Sequence, residues 1–424
     1  MCGSELVGEP AQVRWCERCD WNFDPLHNTS VPLGKAEQAS VARARDLYQR
    51  ALDDGPLKVP RRGTSLALFA LVLPLLAFHL VALVAGIVVL TGGSSLVWRF
   101  VAGVPLATLG LLPVLHRAGH GDRVVRLVPS EHEELFATVG SIARALGSRP
   151  PRRIEVSDRW LIAVLADSRG TLEIGLPLWA SLRREERRAA LARQACSLRR
   201  GRNLRRRFDA ACVRMVALWT STFRLDYTNR RAAGTSQQMR AEWRTAAHAE
   251  SGAPRVTQRK MLFRWPLEVW SRLVARATEH ESWCAAFRAD SAAAGLTSSD
   301  AVAGAISVER SAAPRYEARA SQWRRQPDAD TWWPCIRELA ADVPATERRR
   351  WMRAAELATD QEPFGALPPD GWRLAVVRAH SATGAEPIAL PAISIDDALS
   401  APAALVASMV IDGSGRRRAR ATAG

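Results

Sequence analysis

Three cysteines near the start of the chain carry the clearest metal chemistry in the sequence. Cys16 and Cys19 form a C-x-x-C knuckle followed by Trp21, and Cys2 stands before a glycine, as the second cysteine of another knuckle does. Two knuckles offer four thiolates to a tetrahedral structural zinc, which lets a very short segment fold without a core. Three are present here, so an upstream cysteine, His27 or a water would complete the set. A disordered segment with incidental cysteines and a redox C-x-x-C are the other readings, although no βαβ context surrounds the pair. Farther along, His280 and Cys284 lie four apart in an alanine-rich stretch, and Cys196 stands alone in a helical one. Without partners, each is read as a packed residue. The His132-Glu133-Glu134 triplet has no second histidine four residues on, so it is not a metal motif.

The stretch from Trp179 to Gly201, WASLRREERRAALARQACSLRRG, is the one around which other elements are arranged. It is expected to form a single amphipathic helix. Ser181 is the candidate N-cap, Glu185 and Glu186 suit the positive end of the helix dipole, and Gly201 is the stop. Zinc peptidases use a helix of this kind to aim two histidines, four residues apart, at one metal, with a glutamate after the first. The corresponding residues here are Arg193, Gln194, Ala195, Cys196 and Ser197. The helical frame is present and the zinc-binding chemistry is not.

Several elements must position that helix. Gln38 to Asp54 predicts a short charged helix, ended by Gly55-Pro56. Leu66 to Leu90 is uncharged and apolar, longer than the roughly 20 residues needed to cross a bilayer. After a Gly-Gly-Ser-Ser turn, Leu96 to Leu115 is a second apolar run with Arg99 near its start. Lys58, Arg61 and Arg62 flank one outer end, and His116, Arg117, His120 and Arg123 the other. Basic residues at both outer ends predict a transmembrane hairpin in the cell membrane with both termini and the main domain cytoplasmic. His79, in mid-span, is read as a packed polar residue.

Ser130 to Leu146 predicts an amphipathic helix with a capping-box start. RRIEVSD, LIAVLAD and TLEIGLP predict three short strands before the Trp179 helix. Phe208 to Phe223 predicts another apolar helix, and 226–258 a polar connection. Met261 to Ala277, rich in tryptophan and arginine, suits either a helix at a membrane interface or an ordinary packed one. Residues 278–296 predict an alanine-rich helix ending at Gly295, and Ala345 to Thr359 one more. The organisation is thus a zinc-ribbon-like segment (1–30), a linker with a short helix (31–63), the membrane hairpin (64–117), a mainly α domain with a small β-sheet (120–400), and a basic tail (401–424).

The net charge of +16 would ordinarily point to nucleic acid, but all but three of the 59 basic residues are arginine. With heavy alanine use, that pattern reads as codon bias. The arginines are scattered and no groove-reading motif accompanies them, so no specific nucleic acid is expected. Seven cysteines without a secretory framework argue for a reducing compartment.

Taken in order, these parts resemble the membrane-anchored zinc metallopeptidases of the HtpX and CAAX-prenyl-protease type, notably short actinobacterial members, over residues 120–380. GLPLWASLRREERRAALARQACSLRRG is similar to the segment ending in their H-E-x-x-H, FRADSAAAGL to their glutamate-ligand helix, and LPPDGWRLAVV to a later His-Pro-Pro segment. The resemblance implies a zincin-like α+β fold. Carried over by position, the histidine ligands fall on Arg193 and Ser197, the general base on Gln194, the third ligand on Ala286 and the later histidine on Leu367. Asp290 alone matches the family residue. The family's reaction needs a zinc with an open position and a carboxylate base. The resemblance therefore implies no catalytic zinc and no catalytic residue here, leaving at most a structural zinc at Cys2, Cys16 and Cys19. The expected function is a membrane-anchored pseudopeptidase that binds partner or substrate proteins, membrane or cytoplasmic, beside the lipid bilayer. The alternatives are an active zinc endopeptidase with a non-standard metal site, and an unrelated membrane-anchored regulatory or scaffold protein.

Overall fold

The computed structural model describes residues 35–55, 63–92, 95–115, 124–165, 170–198, 261–323, 329–341, 343–358 and 367–380, together with 2, 6, 7, 14–21, 57, 399, 403 and 406. The expected helix at Phe208 to Phe223, the connection at 226–258, His27 and the basic tail lie outside these residues.

Helix α1 (Lys35–Asp53) precedes α2 (Gly63–Thr91), the uncharged run. Its stretch Phe69–Thr91, with a mean hydropathy of 2.6, is long and apolar enough to cross a membrane. The next helical run, α3, comprises Leu96–Trp98, a π-helical turn at Arg99–Gly103, and Val104–Leu115. Its apolar part, Leu96–Leu111, is shorter. The two helices run antiparallel in close contact, because glycines stand where they touch. A Cβ added to Gly110 would lie 2.6 Å from the Leu83 backbone nitrogen, and one on Gly103 2.9 Å from Leu90 Cγ. His79 is buried in this pair, its Nδ1 2.9 Å from the Leu109 carbonyl. Phe69, Leu80, Val81, Val84, Val97, Phe100 and Val101 are exposed on the outer faces. So large an exposed apolar surface marks a surface that lipid or another protein covers.

The described part is mainly α with a small mixed sheet. Strand β1 (Val124–Arg126) is followed by α4 (Glu133–Ala145), then β2 (Arg153–Ser157), β3 (Ile162–Val164) and β4 (Thr171–Gly175). The order across the sheet is β1-β2-β4-β3, with β2 and β4 parallel and the outer pairs antiparallel. Ile154, Val156, Leu172 and Ile174 alternate onto one face, which is fully buried. β1 was not anticipated, and α4 starts three residues later than expected, after a turn in which Glu131 and His132 bond back to Val128.

The Trp179–Gly201 stretch is not one helix. It is divided into α5 (Leu176–Ser181) and α6 (Arg184–Leu198). Leu182 is extended, and Ser181 caps nothing; its hydroxyl donates to the Pro177 carbonyl at 2.9 Å. The start of α6 is set instead by Glu186, whose Oε2 accepts the Arg183 N–H at 2.7 Å, the half of a capping box that reaches back from the third helical position.

Downstream, the two stretches expected around 261–296 are one 36-residue helix, α7 (Met261–Leu296), about 54 Å long. The rest is α8 (Ser299–Ser311), α9 (Ala313–Trp323), α10 (Ala329–Ala341), α11 (Ala345–Glu356) and α12 (Asp370–Ala379). Helix α7 is the spine. Val274 packs against Val72 of α2, Glu279 accepts hydrogen bonds from Ser40 of α1 at 2.9 and 3.2 Å, and Trp283 and Phe287 pack with Ala44, Ala51, Trp372 and Val376. One helix thus links the apolar pair, α1 and the sheet domain.

Candidate functional site

Four helices converge on an ion cluster at the far end of that spine. Helix α6 exposes a run of alanines to its neighbours: Ala189, Ala190, Ala192 and Ala195 are all buried. Helix α7 does the same with Ala285, Ala286 and Ala293. Small side chains on both surfaces let the backbones approach, so longer side chains between them can meet directly.

At the meeting point, Arg193 of α6 donates from Nε to Asp290 Oδ1 of α7 at 2.8 Å, across 97 residues of sequence. Its Nη1 donates to Glu309 Oε2 of α8, also at 2.8 Å. From the other side, Arg373 of α12 donates to Asp290 Oδ2 and Oδ1 at 2.8 and 3.0 Å, and to Asp370 Oδ1 at 3.0 Å. Arg310 reaches Asp370 at 3.2 Å. Three guanidinium groups therefore face three carboxylates. Relative exposure is 1% for Asp290, 3% for Arg373 and 7% for Arg193, whereas Glu309 and Asp370 reach solvent.

Burial alone would raise the Asp290 carboxyl, but the charges of Arg373 and Arg193 and their hydrogen bonds outweigh it and hold it below the ordinary carboxylate range. Burial works against the Arg373 charge in turn, and Asp290 beside it holds that guanidinium above the usual arginine value. Asp290 stays ionised with three donors on its two oxygens, so it is not available as a proton acceptor. Neither arginine offers a lone pair to a metal, and neither gives up its proton. The chemistry of this cluster is cohesion: it ties α6, α7, α8 and α12 to one point.

The residues singled out in the sequence are distributed around that point. Arg193 and Asp290 are joined. Ala286 lies one turn before Asp290 on α7 and is buried. Gln194 is half-buried on α6, Ser197 lies one turn beyond Arg193 on the same helix, and Leu367 is exposed just before α12. Arg373, Glu309, Arg310 and Asp370 were not anticipated. A signal existed for Arg373, a single charge inside the apolar run Gly371–Val377, with Asp370 three residues earlier. One histidine pair with four-residue spacing, His116 and His120, follows the apolar helices; it brackets Gly119 and no glutamate, and lies outside the described residues. His280 is exposed and Cys284 buried on α7.

A second anchor holds the start of α6. Glu186 accepts from Arg348 of α11 at 3.0 and 3.1 Å as well as from the Arg183 N–H, and Arg348 also donates to the Ser181 carbonyl at 2.9 Å. The carboxylate fits because α8 has no side chain beneath it: a Cβ on Gly304 would lie 2.6 Å from Glu186 Oε1.

Among the described residues, the group able to hold a metal ion is Cys2, Cys16 and Cys19, whose sulfurs all lie within 4.8 Å of one another. Hydrogen bonding with Cys2, then with Cys16, raises the Cys19 thiol above its ordinary value, partly offset by a bond with the Trp21 backbone. The chain matches no known protein-family model, no curated protein and no solved structure.

Proposed function

We propose that this chain is a membrane-anchored, metallopeptidase-like protein that binds partner or substrate proteins without cleaving them. The observation that carries the reading is the Arg193–Asp290 pair. The resemblance assigns Arg193 to the position of the first zinc-binding histidine and Asp290 to a retained aspartate beside the metal. These two residues, far apart in sequence, meet at 2.8 Å; on the resemblance, a permanent cation then takes the neighbourhood that the family gives to zinc. Gln194 and Ala286, at the positions of the base and the third ligand, have no carboxylate to contribute. What remains is a zincin-like frame with an internal ion cluster in place of a hydrolytic centre.

The apolar pair α2 and α3 supplies the anchor. In this reading both cross the bilayer, with the basic residues flanking their outer ends on the cytoplasmic side. Trp98 and Arg99 sit at the opposite interface, where the arginine side chain extends toward the headgroups. The test uses the full chain in detergent, with Cys2, Cys16 and Cys19 replaced by serine to remove thiolate-bound metal. We expect no stoichiometric zinc and no cleavage of an unfolded casein probe, with retention of the probe on the immobilised protein. One equivalent of zinc with chelator-sensitive cleavage would overturn the proposal, and so would failure to retain the probe.

A further inference from the structure

The N-terminal knuckle is built to do more than hold three sulfurs together. Val7 and Trp15 form a two-way antiparallel bridge, with N–H to carbonyl distances of 2.8 and 3.0 Å, bringing the segment of Cys2 back beside that of Cys16. The Cys16 N–H donates to the Trp21 carbonyl at 3.0 Å, closing a reverse turn that presents Cys16 and Cys19 from one side. Asp20, after the second cysteine of the turn, has a φ of 53°, a left-handed conformation that aspartate tolerates better than most residues. Cys2 Sγ lies 3.4 Å from Cys16 Sγ. Three sulfurs at about 2.3 Å from a tetrahedral zinc would stand about 3.8 Å apart, within the spread seen here.

The same turn is fastened to the main domain. Asp20 accepts two hydrogen bonds from Arg353 of α11, at 2.8 and 2.7 Å, and Glu17 pairs with Arg349 one turn earlier at 3.0 Å. Trp15 and Cys16 are buried. Helix α11 is also the helix whose Arg348 holds Glu186 at the start of α6.

We propose that Cys2, Cys16 and Cys19 bind one soft divalent ion of the zinc class as thiolates, and that the ion locks the knuckle in the shape that docks Glu17 and Asp20 on α11. Binding displaces three thiol protons to solvent and leaves the fourth tetrahedral position to a water. Without the ion, the described residues of the short segment have the Val7–Trp15 bridge, the Cys16–Trp21 bond and little core to hold the turn. With the ion, the turn is rigid and the two carboxylates stand at the spacing of Arg349 and Arg353.

Cobalt is the probe, added to the reduced full chain in detergent. One equivalent should give a thiolate-to-cobalt charge-transfer band, and one equivalent of zinc should bleach it. Cys16→Ser or Cys19→Ser should abolish the band. The bound ion should also protect the exposed Arg18 peptide bond from trypsin by at least about tenfold. Arg353→Ala, which leaves the thiols untouched, should keep the band and lose most of the protection. A wild-type chain with no band, a band that survives the serine variants, or a Cys2–Cys16 disulfide formed under reducing conditions would overturn the site. Protection that is unchanged by metal, or unchanged in Arg353→Ala, would overturn the lock.

Discussion

Replacing Asp290 with asparagine is the sharpest perturbation of the ion cluster. The substitution keeps shape and removes one charge. Asparagine's amide group would point a donor at a guanidinium donor, and Arg193 and Arg373 would stay buried with their shared carboxylate gone. Removing one partner of a buried ion pair costs about 3–5 kcal/mol. Two pairs are broken, but Arg193 keeps Glu309 and Arg373 keeps Asp370, so the loss should remain in that range rather than double. At roughly 2–4 °C per kcal/mol for a unit of 150–250 residues, Tm should fall by about 6–20 °C. Thermal unfolding of the full chain in detergent, followed by intrinsic tryptophan fluorescence, reads this directly. The triple variant Arg193→Met, Asp290→Leu, Arg373→Met should recover much of the loss, because apolar residues of similar volume commonly replace a buried ionic triad at no net cost. Glu309 and Asp370 reach water and tolerate losing their partners. A fall below about 2 °C for Asp290→Asn would refute the electrostatic reasoning, as would a triple variant no more stable than the single one.

Other consequences can be checked with the same preparation. Because Asp290 is held below its unfolded value, its stabilisation is complete above about pH 4 and is lost as pH falls through the depressed native value; wild-type and Asp290→Asn stability should therefore converge in acid. Gly304→Ala should displace Glu186 and cost about 1 kcal/mol, the worth of a helix cap, and the loss should vanish in a Glu186→Ala background. Gly110→Ala forces a methyl into the Leu83 backbone and should separate α2 from α3, lowering Tm in detergent, whereas Ala on the exposed face at Val84 should have little effect.

Much of the framework was legible from local pattern. The apolar run, the three short strands and the cysteine turn all carry their signals within a few residues. What escaped the sequence depended on distant partners. The break between α5 and α6 has no proline or glycine to mark it; it follows from Glu186 capping Arg183 while Arg348 grips the Ser181 carbonyl. The 36-residue spine was divided in anticipation only because its composition changes near Ala277, where nothing stops a helix. Helix α8 was missed although Ser298 caps it, its hydroxyl accepting the Ala301 N–H at 3.1 Å. Glu309 stands directly before Arg310, and Arg373 shares its helix with Asp370 and Arg378. The role of Arg373 depends on Asp290, 83 residues away, and that of Glu309 on Arg193, 116 residues away. No local rule links them. The pairing of Arg193 with Asp290, 97 residues apart, is likewise invisible to any local pattern.

The direct test of the proposed peptidase-like frame, with an ion cluster where the resemblance would put the metal, is to install the family's ligands. In a chain lacking Cys2, Cys16 and Cys19, the substitutions Arg193→His, Gln194→Glu, Ser197→His and Ala286→Glu should convert no bound zinc into one equivalent, measured by metal analysis of the folded protein. A folded quadruple variant that binds no zinc would contradict the account.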